Sequence, residues 1–225
     1  MKESIIKEFN NKSKSLYIFF GGINSRIGMP PFEFYNSSKI IGENKIFVRD
    51  FSQAWYQSGL KGISKNALDT AEYIKNLVDE LNPDNVCFVG NSMGGFAAIL
   101  FSELILFHSR NVSVIAFSPQ TFISPELRKI YGDKRWGKHI FKMNIKNIFN
   151  KNKFLDLNLL LSDRKNKRKI EIYVGKDDVL DVIHANHISE YEEVRIHMLD
   201  SGGHNIIKTL RDNNQLHEIM SFKTN

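Results

Sequence analysis

Ser92, His204 and three aspartates at 177, 178 and 181 are the residues of this chain whose types and order could run nucleophilic chemistry. A serine hydroxyl attacks poorly unless a base takes its proton. The suitable base is a histidine held in one tautomer by a carboxylate. Ser92 stands in Gly90-Asn91-Ser92-Met93-Gly94-Gly95, a Gly-x-Ser-x-Gly pattern with one further glycine. Placed between a strand and a helix, such a turn lifts the serine hydroxyl clear of the sheet. Gly90 and Gly94 leave room where a Cβ would strike a neighbouring strand or helix, and Ser92 is expected in a strained backbone conformation. The free N–H groups at the start of the following helix favour a developing negative charge.

Seven histidines compete for the role of base. His204 lies in Ser201-Gly202-Gly203-His204-Asn205, a glycine-rich loop directly after an apolar run. That position brings it to the same sheet edge as the serine turn. His108 falls at the far end of the helix after Ser92, His184 and His187 on a helix, His197 within a strand, and His139 and His217 in polar helical surroundings. The acid is expected after the strand at 170–174, in Gly175-Lys176-Asp177-Asp178-Val179-Leu180-Asp181. Counting from the glycine favours Asp178. Counting back from the helix that holds His184 favours Asp177. Asp181 reads most simply as the N-cap of that helix and stays in play as a third candidate.

The elements that must position these residues alternate along the chain. Leu16–Phe20, Lys45–Asp50, Val86–Val89, Val112–Phe117, Ile170–Val174 and Val194–Leu199 read as strands, being short apolar or β-branched runs. Ser64–Leu81 is the clearest helix, with Ala67, Leu68, Ala71, Ile74, Leu77, Val78 and Leu81 on one face, Ser64 as N-cap and Asn82-Pro83 as its stop. Phe96–Phe101 continues the serine turn as a helix, and helical patterns recur over 182–191 and 206–220. Residues 1–15 read as a frayed polar helix. Gly28–Tyr35 is a loop by its prolines, and Phe51–Gly62, with Trp55 and Tyr56, is a loop near the site. Strands alternating with helices predict an α/β architecture with a mainly parallel sheet covered on both faces.

Thr121–Lys169 breaks the alternation and is too long for a simple connection. It reads as a small helical cap inserted into a single domain spanning 1–225, with a helical patch at Phe154–Leu161. It is strongly basic: Arg128, Lys129, Lys134, Arg135, Lys138, Lys142, Lys146, Lys151 and Lys153, then Arg164, Lys165, Lys167, Arg168 and Lys169. Those charges are either a solvated face or an entrance that draws in acidic substrates. No nucleic-acid-binding module surrounds them.

Bulk properties bound the rest. The 225 residues are 42% hydrophobic and 25% charged, with a net charge of +6, which suits an ordered globular core and an anionic partner or substrate. The single cysteine, Cys87, lies inside an apolar run and excludes a disulfide framework. No run reaches signal-peptide or transmembrane length, so a cytoplasmic protein without a membrane span is expected.

The order Ser92, then Asp177 or Asp178, then His204, set on this strand frame from about 16 to 210, resembles the α/β-hydrolase superfamily. The resemblance implies an oxyanion hole from the backbone N–H of Met93 and a second from Gly22, or Ile23 if the register shifts by one. Many members carry His-Gly where this chain has Phe20-Gly21. Arg49-Asp50, Trp55-Tyr56, the serine turn and Phe117–Phe122 further resemble hydrolase-like proteins associated with bacterial surface-polysaccharide genes. The expected function is a serine esterase, such as an O-acetyl esterase acting on a carbohydrate or glycan precursor, requiring no metal or cofactor. The alternatives are a thioesterase or acyltransferase acting on a carrier-bound acyl group, and a non-catalytic hydrolase-like scaffold.

Overall fold

Charge-free runs such as Leu16-Tyr17-Ile18-Phe19-Phe20 can bury both faces of a strand, and they form the middle of the sheet. The computed structural model describes residues 3–23, 34–107, 110–148, 150, 153–162 and 168–221. Seven strands follow in chain order: β1 Ile5–Glu8, β2 Ser15–Phe20, β3 Asn44–Val48, β4 Asn85–Asn91, β5 Asn111–Phe117, β6 Lys169–Gly175 and β7 Val194–Leu199. They lie side by side as β1-β3-β2-β4-β5-β6-β7. All neighbours are parallel except β1, which runs antiparallel to β3 with Ile5 opposite Val48. The N-terminal segment is therefore an edge strand where a frayed helix was expected; four residues with one buried position carry too little pattern to announce a strand.

The helices are α1 Ala67–Leu81, α2 Met93–Leu104, α3 Pro125–Ile130, α4 Gly137–Lys146, α5 Leu157–Ser162, α6 Val179–Asn186, α7 Ile206–Asp212 and α8 Leu216–Met220. Alternate strand residues serve opposite faces. Leu16, Ile18 and Phe20 pack with α1 and α2, while Tyr17 and Phe19 pack with Ile206 and Leu210 of α7 and Leu216 and Met220 of α8. Of the apolar stripe expected for α1, Ala67, Ala71, Ile74, Leu77 and Val78 are buried, Leu81 is half-buried and Leu68 is exposed. Its N-cap is Asn66, whose side chain accepts from the Asp69 amide at 2.9 Å, in place of Ser64. The Ser64 hydroxyl is engaged elsewhere, accepting from the Leu60 amide at 2.8 Å. Asn82 turns left-handed at φ 46° and Pro83 follows, so the helix stops where expected. The 206–220 helix is split into α7 and α8 by Asn213 and by Asn214 at φ 59°.

Between β5 and β6 the chain makes its long excursion, carrying α3, α4 and α5. Its base is closed by a bridge of Phe122 to Asp156 and by amide bonds from Ile123 to the Leu155 carbonyl and from Leu157 to the Thr121 carbonyl, at 2.8 and 2.9 Å. Phe154 and Leu155 lie outside any helix and Asp156 forms the bridge, so the helical patch there begins only at Leu157. His108, residues 28–33 of the proline loop, and Lys151, Arg164, Lys165 and Lys167 of the basic run lie outside the described residues.

Candidate active site

The serine turn forms at the end of β4 because glycine alone fits there. A Cβ on Gly90 would lie 2.0 Å from the Gly94 carbonyl oxygen, and one on Gly94 would lie 2.2 Å from the Phe20 carbonyl oxygen. With those contacts closed down to backbone, Ser92 is held at φ 55°, ψ −116°, a conformation that non-glycine residues adopt only under constraint. Its amide donates to the Phe117 carbonyl at 2.8 Å and its carbonyl accepts from the Phe96 amide at 3.1 Å. Met93 opens α2, so its N–H belongs to the first turn, whose amides have no acceptor within the helix. The approach of Gly94 to Phe20 sets the start of α2 against the end of β2, and Gly22 follows two residues on.

His204 sits in a short 3-10 turn, Gly203–Asn205, that follows β7. Its Nε2 lies 2.9 Å from Ser92 Oγ, and its Nδ1 lies 2.9 and 3.0 Å from the two carboxylate oxygens of Asp181. With Nδ1–H donating to Asp181, Nε2 is free to accept the serine proton. Serine and histidine thus meet as the sequence leads one to expect.

The aspartate that meets the histidine is Asp181, a correction to the preference for Asp178 and Asp177. α6 begins at Val179, three residues ahead of the helical pattern over 182–191, and this changes the part each acid plays. Asp178 is the N-cap, accepting from the Asp181 amide at 3.0 Å. Asp181 falls in the first helical turn, where the helix dipole favours a carboxylate. Asp177 accepts from the Gly203 amide at 2.9 Å and the Gly202 amide at 3.3 Å, and so braces the loop that carries His204. Gly202 at φ 126° and Gly203 at φ 50° allow that loop to turn.

Asp181 is fully buried. Burial pushes its carboxyl up, but His204 and then Arg135 more than offset this, and it rests below the ordinary aspartate value. Arg135, from the excursion, donates to Asp181 Oδ1 at 2.7 Å through Nη1 and to Asp133 Oδ1 at 3.2 Å through Nε. Asp133 also takes Arg128 at 3.2 Å and lies 3.3 Å from Nε2 of the buried His184. The Thr121 amide donates to His184 Nδ1 at 3.2 Å, so the ring proton sits on Nε2 and points at Asp133. Desolvation pulls the His184 pKa down, leaving the ring neutral, while bonds from His184 and the arginines hold the Asp133 carboxyl well below the usual range against its burial. Arg128 and Arg135 of the basic run are thus spent internally, and Arg168 pairs with Glu103 at 3.2 Å.

Two further residues support the site from behind. The Asp50 carboxylate accepts from the amides of Ser52, Ala54 and Tyr56 at 2.7 to 3.0 Å and folds the 51–62 segment into tight turns. Trp55, fully buried at φ 49°, donates from Nε1 to Gln120 Oε1 at 2.9 Å, and the Gln120 amide reaches the Ser92 carbonyl at 3.4 Å. The pairing of Arg49-Asp50 with Trp55-Tyr56 is the only trace of this support in the sequence.

Asp178, Asp181 and His204 place ligand-type atoms within 4.8 Å of one another. They do not suit a cation, because the Arg135 guanidinium already occupies Asp181 and His204 Nδ1 faces the same carboxylate. Among the described residues, His187 pairs with Asp156 at 2.7 Å and His197 with Glu171, both apart from Ser92.

A family model described as an uncharacterised protein family, UPF0227, matches residues 58–224, which includes Ser92, the three aspartates and His204. The chain belongs to UPF0227. No curated protein sequence matches it. Among solved structures, this UPF0227 chain is similar to a lipase-esterase related protein from Clostridium acetobutylicum, at 16% identity and TM-score 0.60, covering 97% of this chain and 98% of that one. It is also similar to the capsule O-acetyltransferase of Neisseria meningitidis serogroup A, at 16% identity and TM-score 0.66, covering 96% and 91%. MenH from S. aureus matches at 13% identity and TM-score 0.63, covering 98% and 100%. The UPF0227 chain therefore has the α/β-hydrolase fold.

Proposed function

We propose that this protein is a serine-dependent enzyme of acyl esters, a carboxylesterase whose substrate is an O-acetylated carbohydrate or glycan precursor. The observation that carries the reading is the His204 imidazole, 2.9 Å from Ser92 Oγ on one side and 2.9 Å from Asp181 on the other. In this reading Ser92 attacks the ester carbonyl as His204 takes its proton, and Asp181 orients the ring and offsets the imidazolium charge. The amides of Met93 and Gly22 receive the oxyanion. His204 then protonates the leaving alcohol, and water activated by the same ring releases the acid. Asp177 positions the His204 loop, and Asp178 starts the helix that carries Asp181. The excursion at 121–169 serves as the cap. The exposed α3–α4 surface, with Lys129, Lys134, Lys138, Lys142 and Lys146 against the single acid Glu126, supports an anionic substrate.

The test is labelling with a fluorophosphonate probe and mapping of the modified residue. We expect the adduct on Ser92 and its loss in Ser92→Ala, with the circular dichroism spectrum unchanged. An adduct elsewhere, or unchanged labelling in that variant, removes the assignment.

Acyl transfer is a second reading, favoured by the likeness to the capsule O-acetyltransferase over 96% of this chain. An acyl-enzyme on Ser92 is common to both, and only the acceptor differs. Aryl acetate turnover that rises on adding a sugar alcohol, with acetylated sugar as product, supports transfer. Acetate as sole product supports hydrolysis.

A further inference from the structure

The excursion between β5 and β6 does more than lie over the sheet: one of its arginines is built into the candidate active site. Arg135 lies 46 residues from Asp181 in sequence, yet its guanidinium reaches the buried Asp181 carboxylate at 2.7 Å. Asp181 Oδ1 is thereby shared between Arg135 and His204 Nδ1, which lies 3.0 Å away. The other side of the guanidinium is fixed by Asp133, which Arg128 and the buried His184 hold in turn. The Arg128 guanidinium also donates to the Arg135 carbonyl at 2.6 Å, locking the backbone that carries the arginine. A planar fork held at two carboxylates has little freedom to leave either.

We propose that Arg135 is a positioning residue for the Ser92–His204–Asp181 relay, setting the orientation of Asp181 and tempering the hold of its charge on the imidazolium. The inference rests on the function proposed above. A buried carboxylate facing only the histidine would stabilise the protonated ring strongly and delay its use as a base. A guanidinium on the same oxygen draws off part of that attraction. The remaining charged groups around the ring are Asp178, 3.7 Å from the Arg135 Nη1 atom, and Asp177, which faces the loop amides. Asp178 loses the same guanidinium when Arg135 is changed, which adds to the effect of Asp181 on the ring, whereas Asp177 keeps its loop amides. The arrangement also ties the reactivity of Ser92 to the seating of the excursion, since the relay keeps its geometry only while Arg135 is in place.

The test follows the rate of fluorophosphonate labelling of the full chain against pH, with thermal unfolding measured on each variant. Ser92→Ala and Asp181→Asn come first; loss of labelling in both establishes the relay independently of Arg135. Arg135→Gln is then expected to slow labelling by about tenfold to a hundredfold as Asp181 loses its brace. Its acid limb should move to higher pH by about one unit, since the uncompensated carboxylate holds the imidazolium more tightly. Arg135→Lys keeps the charge but replaces the planar fork with a flexible point charge that does not fix the two carboxylates in the same geometry, so it should return the midpoint to the wild-type position while leaving the rate low. A folded Arg135→Gln with wild-type rate and midpoint overturns the proposal while leaving the relay standing. Should that variant not fold, Arg135→Lys decides alone: a lowered rate at an unchanged midpoint supports the proposal, and a wild-type rate overturns it.

Discussion

Three carboxylates within five residues carry three separate duties, and their substitutions should separate accordingly. If the proposed esterase activity holds, Asp181→Asn, which removes the charge facing His204 and leaves the ring free to take the wrong tautomer, should lower ester turnover by about 10³- to 10⁴-fold. Asp178→Asn keeps a good N-cap, since asparagine caps as well as aspartate, and turnover should stay within about threefold of wild type. Side-by-side initial rates on an aryl acetate check the contrast; equal losses would return Asp178 to contention. Ser92 and His204 were legible because each sits in a glycine pattern directly after an apolar run, and a backbone requirement leaves a mark on sequence. The acid was not, because Asp177, Asp178 and Asp181 are chemically alike and their roles depend on which residue starts α6. Arg135 was hidden for a related reason: the partner that matters, Asp181, lies in another element, and a guanidinium in a lysine-rich stretch looks like any other surface charge.

At the level of elements, the serine turn depends on backbone touching backbone. Gly94→Ala would drive a Cβ to 2.2 Å from the Phe20 carbonyl oxygen, with no side chain able to yield, and should destabilise by about 3 kcal/mol or more. Gly137→Ala, on α4, meets nothing within 4 Å and should be neutral or stabilising by up to about 1 kcal/mol. Chemical denaturation of the pair checks the sign of each. Asn66→Ala should cost about 1 kcal/mol through the lost cap on α1 and lower the melting temperature by about 2–4 °C. Serine at 64 and asparagine at 66 are both capping residues, and the Ser64 hydroxyl is already engaged by the Leu60 amide and the Thr70 hydroxyl, which leaves the cap to Asn66. The central strands were readable from charge-free runs. β1 was not, because an edge strand owes its existence to the pairing of Ile5–Glu8 with β3 rather than to its own pattern.

Over the whole molecule, the buried neutral His184 makes stability depend on pH. Its pKa is depressed in the folded chain, so the unfolded chain binds the extra proton. Stability from this group is present above the unfolded value of about 6.5 and falls as pH drops below it. The melting temperature should therefore decline from pH 7.5 to 5.5, and the slope should flatten in His184→Gln whatever that variant's absolute stability; an equal slope would place the titration elsewhere. The positive charge of the chain has a similar global reading. Arg128, Arg135 and Arg168 are held in ion pairs, so an outside partner meets mostly lysines.

Cys87, in β4 beside the serine turn, is 2% exposed with its thiol pushed up to about 12 by burial. A thiol so placed reacts with iodoacetamide only when the middle of the sheet parts. Because it is the sole cysteine of the chain, the rate of its alkylation in the native protein is a clock for global opening, readable by mass without any engineered probe.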